Sequence, residues 1–277
     1  MCVAGEKSKF LVIGTKELRK KRCGERTLEI KVDGKVIKET KSEKLLGILI
    51  NNNFTWKEHL YGETWRQCEK NQPGLIPQLS QRLGILKKIS QTASKEKLRM
   101  IAQGIFYSKL GYCLPLFSNT WGLETYKDGN TRSTGFTKED NRKLQVIQNQ
   151  VVRLLVDKKD LEGKLNIPTK ELLDMSNDLS IHQLGALRTV TMVKKIILTQ
   201  KPKYLARRFQ LREKNKNRSR TSLVSERVTL DLKREGFVYR GSRLFNILPE
   251  ELKLENKIEV FKEKVEDWIK EIIPVKP

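Results

Sequence analysis

The chain has 277 residues, enough for one or two domains of ordinary size. Lys and Arg number 56 against 33 Asp and Glu, a formal net charge of +23 at pH 7, and hydrophobic residues make up 38%. That share is too high for a disordered chain, no window approaches the ~18 apolar residues of a membrane span, and Met1 to Lys7 lacks the basic region and apolar core of a secretory signal, so an intracellular protein, nuclear or cytoplasmic, is expected.

The first fifty residues pattern as β-structure. Phe10-Leu11-Val12-Ile13, ended by Gly14, is expected as a short buried strand. Thr27 to Val32 alternates strictly, and Asp33-Gly34 then leads into Lys35 to Lys38, which predicts a hairpin because a type I′ turn needs positive φ at both central residues. A further strand is expected over Lys44 to Ile50, closed by Asn51-Asn52-Asn53. Hardly any helix is foreseen here, and a sheet so small is not expected to be stable alone.

From Trp56 onward the period becomes helical. Ile76, Leu79, Leu83, Leu86 and Ile89 form one stripe. Ser94 reads as the N-cap of a helix carrying Leu98, Ile101, Ile105 and Leu110. Gly122 to Phe136 is a polar loop, and a helix follows over Lys138 to Val156. Thr169 is expected to cap a short helix through Met175, and Ser180 to open a longer one over Ile181 to Ile197. Asn215 to Arg220 holds no apolar residue and reads as a basic loop, and a last helix runs from Lys257 to Ile273, stopped by Pro274. The fold class is therefore α+β, mostly α: a small N-terminal antiparallel β-segment over 1–56, a helical bundle over 57–130 and a basic helical region over 131–277.

Positive charge gathers in Arg19 to Arg22, in Lys87-Lys88, and in Lys203, Arg207, Arg208, Arg212, Lys214, Lys216, Arg218 and Arg220, a stretch whose only acid is Glu213. So large an imbalance of one sign repels itself, and polyanions relieve it; nucleic acid is the partner this favours over a merely solvated surface. Cys2, Cys23, Cys68 and Cys113 are scattered without a Cys-x-x-Cys pair and predict reduced thiols rather than a zinc site. His182, on an apolar-periodic stretch, reads as structural.

The order of several segments resembles reverse transcriptases of non-LTR retrotransposons: Glu6 to Ile13, Lys44-Leu45-Leu46-Gly47-Ile48, Ser80 to Leu86, Phe106 to Tyr112, Leu144 to Asn149, Lys201-Pro202-Lys203-Tyr204-Leu205, Leu244 to Pro249, and the closing Phe261-Lys262 helix. Each motif alone is weak; their co-linear order across nearly the whole chain carries the resemblance. It implies the end of a palm over 1–56, a helical thumb over 57–130 and a C-terminal helical region. Such polymerases hold two Mg²⁺ ions on carboxylates that include an Asp-Asp turn, and no Asp-Asp dipeptide occurs here. The chain is thus expected to start past the catalytic turn and to lack polymerase activity by itself, with no catalytic residue and no metal or cofactor of its own. An upstream polymerase segment is an expected partner, and Mg²⁺ would belong to the intact enzyme.

By the same resemblance Lys7 corresponds to a phosphate-neutralising or general-acid lysine, with an ordinary solvated lysine as the alternative. Leu45, Leu46 and Gly47 correspond to a primer grip, where a hairpin backbone presses on the primer terminus; a glycine marking a bulge is the alternative. Arg82, Lys87, Lys88 and Lys109 would follow the backbone of an RNA–DNA hybrid without reading sequence. Tyr107 and Tyr112 can stack on sugars or bases, or lie in the core, while Trp56, Trp65, Trp121 and Trp268 read as packing residues. The expected ligands are an RNA template, a DNA primer or their hybrid. Two other readings stay open: a stand-alone basic nucleic-acid-binding protein, and an inert degenerate remnant.

Overall fold

The computed structural model describes residues 8–14, 16–23, 28–32, 34–62, 73–117, 136–161, 166–212, 221–224, 236–273 and 275. The chain is α+β and mostly α, as its periodicities predict, and divides into two compact units, Met1–Gln78 and Leu79–Pro277.

Among the described residues the first unit holds two separate two-stranded antiparallel sheets. In one, β1 (Glu29–Val32) pairs with β2 (Lys35–Lys38), and Val32 opposite Lys35 leaves a two-residue turn in which Gly34 has φ +77°. Its partner in that turn, Asp33, lies outside the described residues. In the other, β3 (Ser42–Leu45) pairs with β4 (Ile48–Asn51), with Leu45 opposite Ile48. The strand expected over Lys44 to Ile50 is therefore folded back on itself at Leu46-Gly47. Both residues take left-handed φ, +49° and +85°, the combination a type I′ turn demands.

Two further expectations fail here. Phe10 to Ile13 forms no strand: Phe10 makes one parallel bridge to Glu39, Thr40 donates its N–H to the Phe10 carbonyl at 3.0 Å, and Ile13 is exposed. The run is instead held at its two ends, by the Phe10 bridge and by the Gly14 N–H, which bonds the Asn52 carbonyl at 3.0 Å. The basic cluster around Arg19 to Arg22 is helical, α1 (Lys16–Cys23), because Lys, Glu, Leu and Arg are strong helix formers. The unit's buried residues include Ile48, Trp56 and Leu60, the last two flanking or lying in α2 (Lys57–Tyr61). Asn51 fixes the exit from β4, accepting from the Thr55 N–H and donating to the Thr55 hydroxyl, each at 2.8 Å.

The second unit is helical. After α3 (Leu75–Ile89), Ser94 accepts the Lys97 N–H and starts α4 (Lys95–Ala102) as expected. A π-helical segment, Gln103–Tyr107, continues it into a last turn, Ser108–Leu110. Then come α5 (Leu114–Phe117), α6 (Lys138–Leu155), α7 (Lys158–Leu161), α8 (Thr169–Ser176), α9 (Ile181–Thr199), α10 (Lys203–Ala206), α11 (Phe237–Ile247), α12 (Glu250–Leu254) and α13 (Ile258–Ile272). Thr169 is the first helical residue of α8, with Pro168 at the N-cap, so its hydroxyl is free of capping and accepts from Asn149 Nδ2 at 2.9 Å. Both α6 and α9 open on capping boxes, Thr137 with Asp140 and Ser180 with Gln183, each cap stabilising its helix by ~1 kcal/mol.

α9 is the centre of this unit, packed by α11, α13 and α5. Val190, Val193, Phe245, Phe261, Val265 and Ile269 belong to the main core, each buried side chain contributing ~1.5–3 kcal/mol. A smaller cluster, Val152, Val156, Leu172 and Leu173, joins α6 to α8. Helices from the sequence regions 57–130 and 131–277 thus share one compact unit.

Candidate nucleic-acid interface

The hairpin tip is the exposed feature of the first unit. Leu45 is 61% and Leu46 82% exposed, while Ile48, directly across from Leu45, is buried. Leu45 and Ile48 share a face of the sheet as cross-strand partners, so the difference is one of position: Ile48 lies toward the body of the unit and the turn stands outside it. Apolar side chains and the turn's backbone are therefore offered to solvent at one point. Lys7 lies outside the described residues.

The four helical cations expected to follow a duplex have separate fates. Arg82 is half-buried, and its guanidinium donates to the carbonyl of Ile105 in the π segment. One of its nitrogens therefore has a structural role in holding the π segment. Lys87 is exposed and donates to Gln150 Oε1 at 3.3 Å, Lys88 is exposed, and Lys109 is half-buried. On the C-terminal stretch Arg207 and Arg208 are exposed, whereas Arg212 is half-buried beside the Leu211–Leu223 bridge, where its N–H bonds the Ser222 carbonyl at 2.9 Å. Lys214, Lys216, Arg218 and Arg220 lie outside the described residues, as do Trp65 and Trp121. Of the tyrosines, Tyr107 is buried in the core and Tyr112 is 45% exposed. Trp56 is buried and Trp268 packs against the main core, as expected.

Two of the segments that carry the sequence resemblance have a structural explanation. On α6, Gln148 is fully buried and donates to the Leu179 carbonyl at 2.7 Å, while Gln145 accepts the Ile181 N–H at 3.0 Å. These amides fasten the start of α9. On α11, Asn246 clamps Leu223 through both backbone groups, at 2.6 and 3.0 Å. Their residue types are fixed by buried hydrogen bonding, which is costly to leave incomplete.

Sequence reasoning missed a groove of about 710 Å³ in the second unit, bordered by the π segment, the residues just after it, α9 and α13. Its apolar floor includes Leu179, Leu184 and Leu187, and its rim carries Arg99, Arg188, Lys195 and Lys262. Arg188 reaches across to donate to the Gly111 carbonyl at 2.8 Å. Its guanidinium lies flat where a side chain would be: a Cβ at Gly111 would fall 2.1 Å from Arg188 Cζ. Burial lowers the Arg188 pKa from its ordinary value. Arg188, Lys195 and Lys262 form no ion pair among the described residues.

Among the described residues, three buried atoms inside the groove close no short hydrogen bond: Tyr107 Oη and Asp178 Oδ2, which face one another, and Thr191 Oγ1. Burial, and after it the Asp178 carboxylate, push the Tyr107 phenol far above the ordinary tyrosine range. Burial likewise raises Asp178, against the hydrogen-bonding pull of Ser176 and the charge of Arg99, whose Nη1 is 3.8 Å from Oδ1. No signal in the sequence joins these residues, because they come from three separated segments. Comparison with protein-family models, curated proteins and solved structures gave no match.

Proposed function

We propose that this chain holds primed nucleic acid in the manner of the palm end, thumb and C-terminal region of a non-LTR reverse transcriptase, without performing the polymerase step itself. The observation that carries the reading is the hairpin tip: in a chain of net charge +23, Leu45 and Leu46 stand exposed on a two-residue turn whose glycine lets another backbone approach closely. Lys87, Lys88, Arg207 and Arg208 supply exposed charge for phosphate contact.

The experiment is a titration of the full chain with a primed RNA–DNA hybrid and with a single strand, each at several salt concentrations. Lys87→Ala with Lys88→Ala should flatten the salt slope by roughly one to two units, near 0.9 per phosphate contact. Gly47→Val, strained at φ +85° and bulky at the tip, should weaken hybrid binding more than single-strand binding. Equal losses on both ligands would remove the primer-holding reading. The rival reading, a binder acting through charge without a defined duplex pose, draws support from Arg82, one nitrogen of which is already committed to the Ile105 carbonyl.

A further inference from the structure

We infer that the groove of the second unit seats a stretch of single-stranded nucleic acid, with one or two nucleotides inside it. The inference rests on the nucleic-acid reading above and names a second site for it, distinct from the hairpin tip.

The volume, about 710 Å³, falls within the range of small-ligand sites. The groove is open rather than enclosed, which suits a passing strand better than a trapped metabolite. Four cations, Arg99, Arg188, Lys195 and Lys262, face two acids, Asp178 and Glu266. One acid is already engaged by Arg99 and the other by Lys270, at 3.4 Å. Arg188, Lys195 and Lys262 therefore remain as an anion-binding set. Arg188 is the one held in place, anchored on the Gly111 carbonyl with its other guanidinium nitrogens available.

An anion alone does not explain the interior. Thr191 has a buried hydroxyl with no partner among the described residues, and the hydroxyl of Tyr107, a residue 7% exposed, faces Asp178 and Gln148 without closing a short hydrogen bond to either. Such groups are expensive to bury unsatisfied, and they match the sugar hydroxyls and base edges of a nucleotide, which both donate and accept. Tyr112, 45% exposed at the rim, offers a face on which a base can stack. Phosphates on the rim, a base on Tyr112 and polar edges toward Tyr107 and Thr191 use every feature of the site.

The test uses the full chain and a short single-stranded RNA carrying one 4-thiouridine, with a matching DNA to separate sugar recognition from charge. Irradiation should cross-link the RNA at Tyr112 or its neighbours in the groove. Lys195→Glu with Lys262→Glu, both exposed and outside the core, should weaken RNA binding about tenfold, the loss of roughly two phosphate contacts. Lys97→Glu with Lys170→Glu makes the same charge change elsewhere on exposed helix positions and should cost clearly less. Thr191→Val should raise Tm without RNA, by removing an unsatisfied hydroxyl, and still lower affinity; a purely structural threonine would not give that opposed pair. Cross-links confined to other segments, or equal losses from the two charge pairs, would overturn the groove site while leaving hybrid binding at the hairpin intact. Failure of the parent chain to bind either ligand would overturn both readings.

Discussion

Leu46 holds a backbone conformation that suits glycine and asparagine far better than leucine, with φ +49°. A left-handed non-glycine residue costs on the order of 1 kcal/mol, and an 82% exposed side chain recovers little of that by packing. Leu46→Asn is therefore expected to stabilise the chain by ~0.5–1 kcal/mol in urea denaturation; a destabilisation would mean the leucine packs in solution. The same substitution should weaken hybrid binding if the exposed leucine is there for a ligand. Asp178 gives a second residue-scale expectation. Its folded pKa is raised, so its contribution is fully present below the unfolded value of ~3.9 and is lost as pH rises through the folded pKa. Asp178→Asn should then be more stable than the parent at neutral pH and show a flatter Tm profile across the mildly acidic range. A mutant that melts lower at neutral pH would show that the link to Arg99 outweighs the burial. Leu46 was singled out in the sequence through its resemblance to a primer grip, but its turn was not, because Leu-Gly lacks the Asn or Asp that announces a type I′ turn; the burial of Asp178 depends on partners far along the chain.

Helices were readable because their apolar stripes and caps are local. Ser94 and Ser180 cap their helices as the sequence predicts, whereas Thr169 is displaced from the cap by Pro168 and the Thr137 cap was not foreseen. The π segment was hidden, because one wide turn shifts the stripe only after Gln103 while Ile105 and Leu110 still match a helical period. The structural bond of Arg82 was hidden for a related reason: a basic residue on an amphipathic helix resembles a solvent cation until a carbonyl is found facing it. A π turn lengthens the backbone bonds to i→i+5, and the Arg82 guanidinium donates to the Ile105 carbonyl within that turn. Arg82→Ala should cost ~1.5–3 kcal/mol, the value of a hydrogen bond from a charged donor. Lys88→Ala, on the exposed face of the same helix, should stay within ~0.5 kcal/mol of the parent. Chemical denaturation of the two variants decides it, and equal stabilities would return Arg82 to the surface. The groove and the amides of Gln145 and Gln148 were beyond reach of the sequence, since each depends on which helices α9 meets.

At the scale of the molecule the two units differ in what holds them. The second rests on a continuous core built around α9, whereas the first has two hairpins and few buried side chains, with Ile48, Trp56 and Leu60 among them. Two-stranded sheets without a broad apolar face are marginal in water. Hydrogen exchange is expected to be fast across 29–51 and slow across α9 and α13; strong protection of both hairpins at denaturant levels that open α9 would contradict this. Among the described residues each strand of those hairpins pairs on one side only, and Ile30 and Val36 are exposed upon them. Such open rims are templates on which a second molecule can add its own strand, and lysines are a common safeguard. Lys31, Lys35 and Lys38 all stand exposed on β1 and β2. Under the proposed nucleic-acid reading, the positive charge that draws in a polyanion is thus also what keeps one copy of the chain off another. Concentrated salt shortens the reach of that repulsion to about 3 Å at 1 M, and near charge equivalence nucleic acid cancels it. Colloidal stability and ligand occupancy are therefore coupled through the same side chains: turbidity should peak where bound phosphate matches protein charge and clear again when either component is in excess.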